Sequence, residues 1–488
     1  MPIETDVLPL KYRRTKIVAT LGPSSTEPDV LTALVDAGVD VFRLNMSHGT
    51  HETHRVAFER VRRAADARQR TVGVLVDLSG PKMRVGTFEG GRISLARGGE
   101  VTVTTRDVRG RDGLIPSQYG ALARDVKPGD RILLDDGTLE LEVVRTAETD
   151  VVCVVRAGGE LTDHKGMNLP GVALSIPSLT SKDRDDARFA LELGCDLVAL
   201  SFVRRAADVE ELRALMSDAG GHVPIIAKIE RPEALSDIDA ILDATDGIMV
   251  ARGDLGVELP PQSVPFIQIQ LTDLARTKAK PVIVATQMLE SMVSHSRPTR
   301  AEVSDVALAV RSGADAVMLS AESAIGKFPV EAVTMMDTVA RKSEAYLFHR
   351  GAFRLLSSPV DGRTESLLEG KVEDAMARAM SQLSRDLRVR AIHVISRSGR
   401  TTAVMSSSRP AAPIVATSSD PGTCRRAGLL WGVIPELVGE AELEHPQKLT
   451  RTLALKFGFG EEGQKVLLVR GFGTDPRRDT PSITVVTI

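Results

Sequence analysis

The chain has 488 residues, 42% hydrophobic and 26% charged, the balance of an ordinary globular protein with room for about three domains of ~150 residues. This excludes a disordered chain, a collagen and a small disulfide scaffold. With 62 basic against 65 acidic residues, a net charge of -3 and 16 aromatics, it lacks the basic surplus and stacking platforms of a general nucleic-acid binder, so a small anionic substrate needs a local basic pocket.

Cys153, Cys195 and Cys424 are far apart and in no Cys-x-x-Cys pair, which suits reduced, buried thiols. No apolar run reaches the ~18 residues of a membrane span, and Met1 to Arg14 has no apolar core to act as a signal peptide. The expectation is a soluble cytoplasmic protein.

In chain order, short Val-, Ile- and Leu-rich runs begin at Lys16, Val41, Gly73, Leu197, Pro224, Gly247, Pro281 and Ala316, separated by charged or amphipathic stretches. Continuous apolar runs of this kind are the pattern of parallel strands buried on both faces. Their spacings are 25, 32, 124, 27, 23, 34 and 35, so all but one have the length of a single βα unit, and eight such units predict a (β/α)₈ TIM barrel. The long gap contains the alternating runs Glu100–Thr105, Arg131–Leu134, Leu139–Val144 and Val151–Val155, with Asp136-Gly137 as a hairpin signal. It reads as a small β domain, residues 83–177, inserted into the barrel. A helix near Val330–Leu347 is expected to close the barrel, and strands near Ala391, Pro413, Gly432, Lys465 and Ser482 indicate a C-terminal α/β domain. The expected division is 1–82 and 178–352 for the barrel, 83–177 for the insert and 353–488 for the last domain.

Active sites of such barrels lie at the carboxyl ends of the strands, which here are rich in charge: Arg43, Asn45, Ser47, His48, Asp77, Lys82, Arg204, Lys228, Glu230, Arg252, Asp254, Thr286, Gln287, Glu290, Ser320 and Glu322. Lys228 and Glu230 are two apart on one strand and point the same way. Glu230 with Asp254 on the adjacent strand can hold a Mg²⁺ or Mn²⁺, or the group can be an ion pair beside a helix-capping Asp. Gly253 and Gly256 mark a sharp turn whose N–H groups either receive an anion or form an ordinary βα turn. Arg43 and His48 read as anion ligands or as surface residues. Their convergence on one face favours a metal-assisted reaction on an anionic substrate.

The motifs KIVATLGPSS at Lys16–Ser25, FRLNMSHGTHE at Phe42–Glu52, DLSGPKMRVG at Asp77–Gly86, KGMNLPG at Lys165–Gly171, AKIERPE at Ala227–Glu233, DGIMVARGDLGVELP at Asp246–Pro260 and ATQMLESMVSHSRPTRAEVSDVA at Ala285–Ala307 together resemble pyruvate kinase, over nearly the whole chain. The resemblance implies transfer of a phosphoryl group from phosphoenolpyruvate to ADP, giving ATP and an enolate that is protonated to pyruvate. It implies that Lys228, Arg43 and Arg84 surround the phosphoryl group, with Mg²⁺ (or Mn²⁺) on Glu230 and Asp254. The N–H groups of Gly253 and Asp254, with Thr286, would hold the substrate carboxylate, and Thr286 and Ser320 would belong to the network that protonates the enolate. A threonine hydroxyl is a poor acid, so its role there is a relay. The nucleotide is expected near Pro23, Arg43, Asn45, His48, Arg84, Asp136 and Lys165, under an inserted β-barrel lid that excludes water. A homotetramer is the family's common assembly. Nucleic acid and membrane are not expected partners.

Where this chain departs from many relatives is also informative. Asn45, Ser47, Asp77 and Leu78 match a K⁺ site whose usual Glu is here Lys82. Two unit charges about 4 Å apart interact by about 4 kcal/mol at an effective dielectric of 20, so an ammonium there excludes K⁺ and K⁺ is not expected to be required. Leu78 lacks a hydroxyl found in K⁺-dependent members, and Thr53 stands where an aromatic often meets the nucleotide. Ser396, Arg397, Ser398, Gly399, Arg400 and Thr401 match a loop that binds phosphorylated effectors, with Gly471–Asp475 facing it; a solvated βα turn is the plain alternative. The competing functional reading is a catalytically silent paralogue that binds metabolites, which loss of Lys228, Glu230 or Asp254 would have favoured.

Overall fold

The apolar runs form parallel strands β1 (Lys16–Thr20), β2 (Val41–Asn45) and β3 (Gly73–Asp77), then, after the insert, β12 (Leu197–Leu200), β13 (Ile225–Ile229), β14 (Gly247–Ala251), β15 (Val282–Ala285) and β16 (Ala316–Leu319). In this computed structural model, which describes residues 8–357, 372–471 and 480–488, they close into one barrel in chain order, with β16 pairing β1. Alternation sorts the side chains: Val18, Val41, Leu75, Ile226, Met249 and Ile283 fill the interior, while Ile17, Ala19, Phe42, Val74 and Ile248 pack outward against the helices. Each strand is shorter at its carboxyl end than its apolar run, because residues such as Ser47, Ser201 and Thr286 leave the ladder there. The closing helix is Pro329–His349.

The insert contains β4 (Arg92–Leu95), β5 (Glu100–Thr104), β6 (Leu114–Pro116), β7 (Arg131–Leu134), β8 (Leu139–Thr146), β9 (Asp150–Ala157), β10 (Gly159–Thr162) and β11 (Met167–Asn168). Six of these make a sheet in the order β11-β7-β8-β9-β5-β6, and β10 pairs β4 separately. The bridges Arg84 to Gly166 and Val85 to Ser117 carry the entering chain across both edges of the six-stranded sheet. Its core, from Met83 to Val172, is a cluster distinct from that of the barrel. The β7–β8 turn at Asp135, Asp136 and Gly137 has φ of 50°, 54° and 84°, the left-handed geometry that Asp-Gly tolerates.

The last strands are β17 (Ile392–Ile395), β18 (Ile414–Ser418), β19 (Val433–Leu437), β20 (Lys465–Arg470) and β21 (Ser482–Thr487), ordered β19-β18-β17-β20-β21 with only β21 antiparallel. Leu429 enters the inner cluster at the barrel floor. Beside it Arg409, 1% exposed, donates to both carboxylate oxygens of Asp315 at 3.0 Å. Among the described residues no helix is long and apolar enough to cross a membrane.

Candidate active site

At the carboxyl ends of the strands lies a cleft of ≈ 220 Å³ whose lining includes Arg43, Asn45, Ser47, His48, Leu78, Lys82, Arg84, Lys228, Glu230, Asp254, Thr286 and Ser320. Four cations thus face two carboxylates, an excess suited to an anionic substrate. The parallel register brings them together, since Arg43 pairs Leu75 and Lys228 pairs Met249, so side chains of neighbouring strands enter the mouth at similar depth.

Asp77, 1% exposed beneath the cleft, is its anchor. Arg43 donates to Asp77 Oδ2 through Nε at 2.7 Å, and Lys228 Nζ stands 3.4 Å from Oδ1. Lys228 Nζ also lies 2.9 Å from Glu230 Oε1 and donates to Ser201 Oγ at 2.8 Å. Burial alone would lower the Lys228 pKa, but Asp77 and Glu230 outweigh it and the ammonium is pushed up to about 12. Burial also acts to raise Asp77, yet Lys228 and Arg43 hold it below the usual carboxylate range. Glu230 moves the other way, raised by burial against Lys228 and reinforced by the like charge of Asp254.

Two hard carboxylates that repel each other across a cleft suit a divalent cation, and such a cation would relieve the repulsion that raises Glu230. Among the described residues no group of three or more His, Cys, Asp or Glu could hold a metal. The remaining coordination positions would therefore belong to water and substrate oxygens, as small hard cations commonly allow.

The loop after β15 is held in unusual backbone geometry: Thr286 and Gln287 have φ of 68° and 54°, the strained conformation that clusters at functional sites. It aims Thr286 Oγ1 at the Gly253 N–H, which donates to it at 2.8 Å, and the hydroxyl donates to the Ala285 carbonyl at 2.6 Å. A Cβ on Gly253 would stand 3.4 Å from Thr286 Oγ1, an ordinary van der Waals contact. Ser320 N donates to Glu322 Oε2 at 2.7 Å, while Ser320 Oγ is shielded and has no partner among the described groups. Glu322, 0% exposed, also accepts from Leu289 N at 3.0 Å, tying the loops after β15 and β16 together.

His48 is lowered by burial and then by Arg84, Lys82 and Arg43, which places Lys82 within reach of the basic rim even though its side chain is exposed. Asn45 Oδ1 accepts from Ser47 N at 3.2 Å, and the Leu78 carbonyl accepts from Ser201 Oγ at 2.6 Å. Four expected groups lie outside the lining of the cleft: Pro23 is exposed after β1, Asp136 and Gly253 border a second cavity, and Lys165 Nζ pairs Asp135 at 2.8 Å. Thr53 closes a capping box with Thr50 at the start of helix His51–Ala67. Sequence reading missed Ser201, the first residue after β12, whose signal was its place at a strand's carboxyl end.

The C-terminal loop leaves β17 at Ser396, which is buried and accepts from Gly399 N at 3.1 Å. Gly399, with φ 86°, opens helix Arg400–Ser407; Arg397 and Ser398 are exposed, Thr401 is buried, and Arg400 donates to Glu373 at 2.8 Å. The facing motif at 471–475 lies, after Gly471, outside the described residues.

Comparison with known proteins gives concordant matches. The family model for the pyruvate kinase barrel domain matches residues 12–333, and that for the pyruvate kinase alpha/beta domain matches residues 374–486. The chain is similar to a pyruvate kinase of Agrobacterium vitis, 43% identical over 463 residues that cover 94% of this chain and 95% of that one. It is 52% identical to pyruvate kinase of Mycobacterium tuberculosis (strain ATCC 25618 / H37Rv) over 327 residues, 67% of this chain and 69% of the relative. With "Pyruvate kinase 2" of Synechocystis sp. it shares 45% identity over 440 residues, 89% of this chain and 72% of the relative.

Proposed function

Because the chain belongs to the pyruvate kinase family, we propose that its barrel cleft transfers the phosphoryl group of phosphoenolpyruvate to ADP, leaving an enolate that becomes pyruvate. The observation that carries the reading is Lys228, held between Asp77 and Glu230 at a mouth shared by Arg43, Lys82 and Arg84. Phosphoryl transfer needs positioning and charge neutralisation more than covalent help, and this arrangement supplies both.

Arg43, Lys228 and Arg84 bind the phosphoryl oxygens, Lys228 exchanging a carboxylate partner for substrate. Asp77 orients Arg43 and Lys228 and keeps both charged. Glu230 and Asp254 hold Mg²⁺ or Mn²⁺, which when bound neutralises phosphoryl charge and polarises the enolate oxygen. The N–H groups of Gly253 and Asp254 take the substrate carboxylate, Gly253 giving up its bond to Thr286. Thr286 and the unpartnered Ser320 hydroxyl then pass a proton, through water, toward the enolate carbon. The nucleotide lies along Pro23, Asn45, His48 and Arg84, with Asp136 and Lys165 reaching it as the lid closes and excludes water.

Lys82 takes the place of a monovalent cation beside Asn45, Ser47, Asp77 and Leu78, so K⁺ is not required; its place in the cleft lining with Asn45, Ser47 and Leu78 supports this. The division into barrel (1–82, 178–352), lid (83–177) and C-terminal domain (353–488) is supported by their separate cores. The loop Ser396–Thr401 binds a phosphorylated effector, and the working form is a cytoplasmic homotetramer. A silent paralogue is not favoured, since Lys228, Glu230 and Asp254 share one cleft.

The test is pyruvate release from phosphoenolpyruvate and ADP with Mg²⁺, with KCl or tetramethylammonium chloride at equal ionic strength. Equal high rates are expected. Activity only with KCl would remove Lys82 from its role, and no activity in either salt would overturn the assignment.

A further inference from the structure

Two buried charges beside the cleft have no part in the chemistry above: Arg231, 2% exposed, and Glu258, 6% exposed. Arg231 follows Glu230 in the chain, and Glu258 ends the short helix Arg252–Glu258, one turn beyond Asp254. Arg231 Nη1 donates to Glu258 Oε1 at 2.6 Å, so one ion pair joins the segments that bear the two metal-binding carboxylates.

The lid reaches the same pair. Asn168 Nδ2 on β11 donates to Glu258 Oε1 at 3.3 Å, and Arg231 Nη2 donates to the Val172 carbonyl at 3.3 Å. On the adjoining strand at the same edge of the lid sheet, a Cβ on Gly137 would stand 3.7 Å from Val257 Cγ1, so the β7–β8 turn rests on the same short helix. Asn168 pairs Leu133 on β7, which makes the two lid contacts parts of one rigid element. None of Asn168, Arg231 and Glu258 lines the catalytic cleft. Asn168 and Arg231 instead border a ≈ 20 Å³ void shared with Lys82 and Asp254, room for about one water.

A buried Arg-Glu pair adds little net stability over apolar packing, and here Arg231 Nε and Glu258 Oε2 are left without partners. Its value is geometric. We propose that Asn168, Arg231 and Glu258 form a latch through which the seating of the lid sets the position of Asp254 relative to Glu230. These are positioning residues, and the inference rests on the assignment of Glu230 and Asp254 as the metal ligands. Lid closure and assembly of the metal site are then one event, so the site is complete only when water is excluded.

The experiment measures Mn²⁺ binding to the full chain without nucleotide, by the electron paramagnetic resonance signal of free Mn²⁺, in Asn168→Ala, Glu258→Gln and the double variant. Partners that orient metal ligands typically change affinity 10- to 100-fold, so Asn168→Ala is expected to weaken Mn²⁺ binding about tenfold. Its melting temperature stays within about 2 °C of the parent, because only one hydrogen bond is lost from a large protein. The double variant binds no more weakly than Glu258→Gln alone, since Asn168 acts through Glu258. Additive losses, or a lowered melting temperature with unchanged Mn²⁺ affinity, would overturn the latch. Asp254→Asn separates the two levels. Binding that survives this substitution overturns the metal assignment and the latch with it; binding lost in Asp254→Asn but untouched by Asn168→Ala overturns the latch alone.

Discussion

Lowering the pH from 7.5 to 5 is expected to cost the C-terminal domain about 2 kcal/mol through one side chain, His393. This residue of β17 is 1% exposed, with Nδ1 at 2.8 Å from Thr450 Oγ1 and Nε2 at 2.8 Å from Thr417 Oγ1. Thr450 spends its own proton on the Pro446 carbonyl at 2.7 Å, so Nδ1 must donate to Thr450 and Thr417 must donate to Nε2. A second ring proton would point at a hydroxyl already oriented toward it, and burial lowers the His393 pKa to about 4. In the unfolded chain the value is about 6.5. Between these values the unfolded chain binds a proton that the native ring refuses, so stability falls as pH falls, by about 2 kcal/mol at pH 5 and almost nothing at pH 7.5. The chain's single tryptophan, Trp431, is buried at the seam between this domain and the barrel, and its fluorescence follows urea unfolding there. His393→Gln keeps a donor and an acceptor but cannot titrate. The parent should lose about 2 kcal/mol more than this variant between the two pH values; equal losses would refute the buried neutral ring.

Three further outcomes follow from the site and the core. Lys228→Met should lower kcat/KM by about 10³-fold in the coupled pyruvate assay, the usual scale for a charge-stabilising donor, and destabilise by about 3–5 kcal/mol in urea by leaving buried carboxylates short of a partner; retention of a tenth of the activity would contradict its role. Lys82→Glu should convert the enzyme to K⁺ dependence, with about tenfold stimulation when KCl replaces tetramethylammonium chloride, and a variant indifferent to KCl would sink the built-in cation. Burial pushes Cys153 and Cys195 up to about 12 and Cys424 up to about 11, so a thiol reagent at pH 8 should label none of them before denaturant is added. Rapid labelling of any one would contradict its burial.

The barrel was legible because parallel strands buried on both faces cannot hide their composition. Every expected strand start fell within one residue of the observed one, Pro224 and Pro281 preceding β13 and β15 by a single position. The strand ends were less legible, since VFRLNMSHG reads as one run while the ladder stops at Asn45 and the next residues turn into the cleft. Lys228 and Glu230 could be paired by the two-residue strand period alone. Arg231 and Glu258 could not: they are 27 residues apart, and nothing local distinguishes a Glu at a helix end from a solvated one. Arg409 and Asp315, 94 residues apart in sequence, were hidden for the same reason, because a buried pair is a property of two surfaces meeting.

The lid leaves and rejoins the barrel between β3 and β12, which are themselves neighbours with Leu75 beside Leu197 and Asp77 beside Ala199. Arg204 grips the returning chain by donating to the carbonyls of Leu174 and Ile176 at 2.8 and 2.9 Å. If its roughly 95 residues were a slack loop, closing them would cost about 2.6 kcal/mol more than closing five, by the logarithmic rule for loop length. A folded insert that presents its two ends side by side avoids most of that cost. The lid is therefore a cassette: chain length within it can grow or shrink without shifting the register of any barrel strand.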